Sequence, residues 1–219
     1  GLQILRGQMK PVDSGPALSH IAEAVLRAML AAVRQELEIH HGTVPGGRVM
    51  LLAMGKLASK ELMPGSDLDL ILIYDAPEDC TGSDGAKPLA VSAYYSRLCQ
   101  RLVNALTALT AEGMLYEIDL RLRPSGNKGP LACSLTAFDS YHRKDAWTWE
   151  HMALSRARAV AGDTDLCETV DRVISAILKS PRNPAKLLGD VYSMRLKMAG
   201  ELDKGSLWDV KQARGGIVD

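Results

Sequence analysis

The chain has 219 residues, with 26 Lys and Arg balanced against 26 Asp and Glu, a formal net charge of zero. That length suffices for one substantial domain with a helical appendage. The balanced charge excludes the basic surface that long nucleic acid requires. Along the chain, Leu18, Ile21, Val25, Ala28 and Ala32 recur at helical spacing, which predicts a helix over 15–40 with Glu23, Arg27 and Arg34 off the apolar stripe. Gly46 and Gly47 break the chain before the unbroken apolar run Val49–Met54, which predicts a strand buried on both faces. A loop over 55–66, with Gly, Lys, Pro and Ser, leads into a second strand at 67–75, and a polar connection follows at Cys80–Lys87.

A second helix is predicted over 89–111, closed by Gly113, with Val91, Tyr95, Leu98, Leu102, Ala105 and Leu109 on one side. Residues 115–123 alternate strictly: Tyr116, Ile118, Leu120 and Leu122 against Glu117, Asp119, Arg121 and Arg123. That period predicts a strand with one apolar and one ionic face. After Pro124 a loop runs to Pro130, and the remainder reads as helices at 135–143, 145–160, 164–178 and 184–203. In the 145–160 helix, Trp147, Glu150, His151, Leu154 and Arg158 share a face; Trp147 is expected to pack inward. Glu150, His151, Arg156 and Arg158 are weaker candidates for lining a cleft.

Cys80, Cys99, Cys133 and Cys167 are widely spaced and share no ligand spacing with the five histidines. They read as reduced, structural thiols of a cytoplasmic protein rather than a zinc site. No apolar run approaches the roughly 20 residues of a membrane span, and the start lacks a signal-peptide pattern. The abrupt stop at Asp219 reads as a piece cut from a longer chain.

The most informative segment is Gly65-Ser66-Asp67-Leu68-Asp69, between the polar loop and the apolar run Leu70–Tyr74. Two carboxylates two positions apart on a strand point to one face, roughly 6.5 Å apart along the backbone. Such a pair can hold divalent cations, and the Gly-Ser turn can set backbone N–H groups against phosphate. If 115–123 neighbours this strand, Asp119 completes a three-carboxylate cluster. Those acids would repel one another without a cation such as Mg²⁺. Arg121 and Arg123 would then lie on the same face, their planar forks suited to phosphate oxygens.

Glycine-serine, Asp-x-Asp and a later strand acid resemble the nucleotidyltransferase superfamily with a polymerase-β-like core. The blocks Ala53-Met54-Gly55-Lys56-Leu57, Glu61-Leu62, Gly65–Leu70, Leu120–Gly126 and Ala146–His151 resemble, in order, glutamine synthetase adenylyltransferase. The final Arg214–Asp219 also resembles a block of that family. The resemblance implies an α/β (α+β) nucleotidyltransferase core with a preceding helix over 1–162. A helical region at 163–219 would be the truncated start of a helical domain.

It further implies the adenylylating copy of a two-copy enzyme, transferring AMP from ATP to a tyrosine hydroxyl of glutamine synthetase and releasing pyrophosphate. Two Mg²⁺ ions would be held by Asp67, Asp69 and Asp119. Gly55, Lys56, Gly65, Ser66, Arg121 and Arg123 would bind nucleotide phosphate. Asp119 would accept the hydroxyl's proton. Glutamine and a PII-type signal protein are the implied regulators of the full-length protein.

Phosphorolytic removal of AMP from the synthetase is the alternative, since the same metals serve both directions. A catalytically silent module that senses a nucleotide or signal protein is a further one. The chain departs from the family at Ala58-Ser59, where a Gly-Gly pair is usual. If those glycines admit phosphate to the backbone, the loop here is altered and activity lowered.

Overall fold

The computed structural model describes residues 6–7, 10–111 and 113–202. The Arg214–Asp219 block therefore lies outside the described residues. The two apolar runs form the central strands β1 (Arg48–Ala53) and β2 (Leu68–Asp75), paired antiparallel from Arg48↔Asp75 to Ala53↔Leu70. Nearly every residue of both is buried, as strands covered on two faces require. The short helical turn α2 (Gly55–Ala58) fills part of the loop between them.

The far edge of β2 carries two short parallel strands in tandem. β5 (Ile118–Asp119) pairs with its start, and β6 (Ala132–Ser134) pairs with its end. Between them the chain leaves the sheet over 120–131. The strand expected at 115–123 is thus only two residues long. Its strict alternation misleads because Arg123 turns inward: its guanidinium donates to the carbonyls of Leu120 (2.7 Å), Pro130 (2.9 Å) and Gly129 (3.5 Å), which ties the excursion at its neck.

The helix α3 (Val91–Thr107) ends earlier than its periodicity suggests. A hairpin follows it, β3 (Leu109–Thr110) with β4 (Gly113–Met114), so Gly113 serves a turn at φ +101° rather than a helix end. On the other side of β1 lies β7 (Arg158–Gly162), antiparallel to it. This strand replaces the second half of the helix expected at 145–160; α5 covers only Thr148–Leu154. The run Arg158-Ala-Val-Ala-Gly has no strong preference of its own, and edge pairing with β1 decides its state.

Helices cover both faces of the sheet. On one face Leu51, Leu70 and Leu72 pack with α1 (Pro11–His41), α2 and α3. On the other, Met50, Leu52, Ile71 and Ile73 meet α4 (Leu135–Lys144), α5 and α6 (Thr164–Lys179), with Phe138 and Leu166 fully buried. α7 (Pro184–Leu202) lies against α5, where Thr148 donates to Asp190 at 2.6 Å.

The stripe of α1 that faces the core is Ala22, Leu26, Leu30, Val33 and Leu37. It is offset from the expected one, since Ile21 is exposed and Glu23 is buried. By length and composition alone α1 is apolar enough to cross a membrane, contrary to the expectation that no run qualifies. Its buried stripe packs instead on α3 and β7.

Candidate functional site

β2 and β5 run parallel with Leu68 opposite Ile118 and Asp69 opposite Asp119. Leu68 also donates its N–H to the Glu117 carbonyl at 2.9 Å, so the register continues back one residue. Both strands enter from the same end, and this sets their opening carboxylates side by side. Asp67 stands just ahead of β2, exposed to solvent. One carboxylate oxygen from each of Asp67, Asp69 and Asp119 lies within 4.8 Å of the others. An open cleft of about 470 Å³ adjoins them, its lining including Asp67, Asp119, Arg121 and Asn127.

Asp69 and Asp119 are perturbed in opposite directions. Burial above all, then repulsion from Asp67 and Asp119, pushes the Asp69 carboxyl above the usual carboxylate range. Arg121 and Lys56 oppose that rise. Asp119 goes the other way. Arg121 donates to it from the backbone N–H at 2.7 Å and from the guanidinium Nε at 2.8 Å, and this hydrogen bonding holds Asp119 below the usual range. The Arg121 side chain is itself 72% exposed.

On the β1 side of β2, Met54 donates its N–H to the Asp69 carbonyl at 2.9 Å, and the chain then turns into α2. Gly55 has φ +54°, and a Cβ placed there would lie 2.4 Å from Asp69 Oδ2. Glycine is therefore required twice over, by conformation and by space. Lys56 follows, close enough for its charge to act on Asp69. Ala58 ends the helical turn and Ser59 has φ −82°, so neither position needs glycine. The departure from Gly-Gly leaves the turn intact, with the Ser59 hydroxyl donating to the Gly55 carbonyl at 3.0 Å.

Gly65 adopts φ +77° in an exposed turn with nothing within 4 Å of a Cβ. Ser66 closes that turn by donating its N–H to the Met63 carbonyl (3.0 Å) and accepting from the Met63 N–H at its hydroxyl (3.1 Å). Arg123 sits beside the cleft but its guanidinium is committed to carbonyls, as described above.

Three of the weaker candidates make internal hydrogen bonds. Glu150 accepts from the Tyr141 hydroxyl (2.8 Å) and the Trp147 N–H (2.8 Å), and His151 Nε2 donates to the His142 carbonyl (2.8 Å). Trp147, expected inside, is 69% exposed. Arg156 is exposed. Arg158 runs under the Gly55–Ser59 turn and meets Glu23. No spacing argument singled out that acid, although it stands one residue after Ala22 and three before Leu26 on the face that proves buried.

Fold and site together define a mixed α/β domain with a hard-oxygen cluster suited to a divalent cation at the edge of its sheet. Residues 3–173 match the family model described as glutamate-ammonia ligase adenylyltransferase, and the chain belongs to that family. It is 52% identical over 219 residues to the bifunctional glutamine synthetase adenylyltransferase/adenylyl-removing enzyme of Mesorhizobium japonicum (strain LMG 29417 / CECT 9101 / MAFF 303099). It is likewise 52% identical over 219 residues to the enzyme so named in Brucella suis biovar 1 (strain 1330), and 49% to that of Agrobacterium fabrum (strain C58 / ATCC 33970). Each match takes in 100% of this chain but 22% of the relative, so the chain spans about a fifth of their length.

Proposed function

We propose that this chain transfers AMP from ATP to a tyrosine hydroxyl of glutamine synthetase, releasing pyrophosphate, with Mg²⁺ held by Asp67, Asp69 and Asp119. The observation that carries the reading is the convergence of those three carboxylates within 4.8 Å on paired strands. Their donor set fits a hard cation. All three offer carboxylate oxygen, and the Asp69 carboxyl, raised first by burial and then by the charges of Asp67 and Asp119, sits where a divalent ion would offset that cost. Bound there, Mg²⁺ would neutralise phosphate charge and lower the pKa of the attacking hydroxyl.

The chain's own groups do the rest. Lys56, beside Asp69, and Arg121, whose guanidinium is exposed, are the cations that can meet phosphate oxygens. Gly65 and Ser66 stand at the turn before β2, where the Ser66 hydroxyl, which accepts from the Met63 N–H, keeps its own proton to donate to a phosphate. When Arg121 turns from Asp119 to phosphate, Asp119 loses the partner that holds its pKa down and becomes able to accept the tyrosine proton. No covalent enzyme intermediate is required; positioning and charge neutralisation suffice.

The test mixes the chain with unmodified glutamine synthetase, Mg²⁺ and ATP labelled at the α-phosphate. Label on the synthetase that Asp67→Asn abolishes supports the reading; equal labelling by Asp67→Asn removes it. The relatives' name also covers adenylyl removal, so phosphate-dependent release of ADP from pre-modified synthetase is the second reading to assay. Glutamine and a PII-type protein are proposed as regulators of the longer protein.

A further inference from the structure

The turn that carries Lys56 is short and draws part of its support from outside. α2 has four residues, and the chain just after it serves three of its carbonyls: Gly55 accepts from the Ser59 N–H, Leu57 from the Lys60 N–H and Lys56 from the Glu61 N–H. Arg158, reaching across from β7, adds a second bond at Leu57 and bonds the last carbonyl, that of Ala58. Its Nε donates to the Ala58 carbonyl at 2.9 Å and its Nη2 to the Leu57 carbonyl at 3.0 Å. The same Nη2 donates to Glu23 Oε1 at 2.6 Å. Glu23 is 7% exposed on the buried face of α1. Burial pulls its carboxyl up, but the hydrogen bond and charge of Arg158 outweigh that and keep it below the usual range. The guanidinium is thus anchored from behind by an ionised acid while its front edge caps the turn.

The other end of the turn lies against the carboxylate cluster. Gly55 abuts Asp69 Oδ2, and Lys56 is the next residue. After Ala58 the chain passes Lys60 at φ +60°, a conformation that side chains rarely adopt. Glu61 then closes the loop by donating its N–H to the Lys56 carbonyl at 2.8 Å. A segment with one strained residue and one helical turn holds its place only if its surroundings fix it.

We infer that Arg158 is a positioning residue for the transfer reaction: anchored by Glu23, it clamps the Gly55–Ser59 turn and thereby aims Lys56 at the phosphates of the nucleotide bound beside Asp69. The inference rests on the proposed function. It also has a chemical corollary. The planar fork spreads its donors over two nitrogens, Nε and Nη2, to reach two successive carbonyls and a carboxylate, whereas the compact ammonium of lysine at 158 would keep the charge and lose that span.

The test measures adenylyl transfer by wild type, Arg158→Lys, Lys56→Ala and the double variant, each checked for an intact fold by melting. Arg158→Lys should raise KM for Mg·ATP by roughly tenfold or more, with KM for glutamine synthetase unchanged. In the Lys56→Ala background the same substitution should add little, because the clamp acts through Lys56. A merely structural arginine would lower melting and kcat, leave KM for ATP alone, and add fully to Lys56→Ala; that pattern overturns the inference.

If wild type transfers nothing, the functional reading fails separately. Calorimetric Mg·ATP affinity across the same four proteins then decides the clamp, and no ATP binding by wild type overturns both. Should Arg158→Lys fail to fold, Glu23→Gln with Arg158→Gln removes the buried acid and its half-buried partner together and gives the same contrast.

Discussion

Arg121 folds back onto Asp119, two residues earlier, and takes both of its carboxylate oxygens, Oδ1 through its backbone N–H and Oδ2 through its guanidinium. The acid that completes the metal-type cluster is therefore also the acid that parks the exposed arginine. A cation held by the cluster would compete with the guanidinium for one carboxylate.

That competition gives a first prediction. Arg121→Gln should tighten Mg²⁺ binding to the nucleotide-free chain by about threefold, the modest scale of an exposed ion pair, while weakening ATP. Titration calorimetry with Mg²⁺ alone, then with Mg·ATP, reads both. Unchanged Mg²⁺ affinity would mean the two ligands do not share Asp119.

Asp69 supplies the second. Its carboxyl is raised in the fold, so the folded chain keeps a proton that the unfolded chain has released. The associated stability is present at low pH and is lost as pH rises through the raised value. At neutral pH without metal, Asp69→Asn should melt above wild type. Mg²⁺ should raise wild type and not the variant. Melting curves in chelator and in Mg²⁺ settle it, and an Asn variant that melts lower in chelator contradicts the cost assigned to burying this charge beside Asp67 and Asp119.

Two glycines with similar backbones make a matched pair. Gly65→Ala introduces a left-handed alanine in open space, costing about 1 kcal/mol and little else. Gly55→Ala adds a Cβ 2.4 Å from Asp69 Oδ2, and displacing that oxygen should cut transfer by about a hundredfold. Comparable activity in the two variants would refute the close approach at Gly55.

Arg123 should behave as a structural residue. Arg123→Lys removes a fork shared among three carbonyls, so the unfolding free energy read from denaturant curves should fall by about 1–3 kcal/mol with ATP affinity retained in the folded protein. Loss of ATP affinity at full stability would return Arg123 to the phosphate site.

His142 supplies a prediction about acid sensitivity. It is 4% exposed and neither ring nitrogen has a hydrogen-bond partner among the described residues. Burial above all, aided by His151, pushes it down to about 4 from an ordinary 6.5. The unfolded chain takes up a proton first as pH falls, so stability is lost between about 6.5 and about 4, by roughly 3 kcal/mol in all. His142→Phe should flatten that part of the stability–pH curve; a curve as steep as wild type's would assign the acid loss elsewhere.

The core strands were legible because a strand covered on both faces must be apolar at every position, and Val49–Met54 and Leu70–Tyr74 are. Asp67, Asp69 and the blocks around them were legible for a related reason. Acids at the mouth of a buried strand contradict their surroundings unless they have work to do.

Other features depended on partners that periodicity does not name. The 115–123 alternation could not reveal that Arg123 would turn inward to cap three carbonyls. The helical spacing through Arg158 could not reveal that pairing with β1 would make 158–162 a strand. On α1 two adjacent stripes both had helical spacing, and only packing against α3 and β7 chose the one containing Glu23.

The amino-acid sequence by itself determined the sheet's two central strands, the flanking helices and the three acids, since these follow from local hydrophobic pattern and motif. The tertiary structure alone decided which charges meet: Asp69 beside Asp119 through a parallel register, Arg121 on Asp119, and Arg158 between Glu23 and the Lys56 turn. Those pairings join residues as far as 135 positions apart, and no local preference acts over that separation; burial and hydrogen bonding in the assembled fold do.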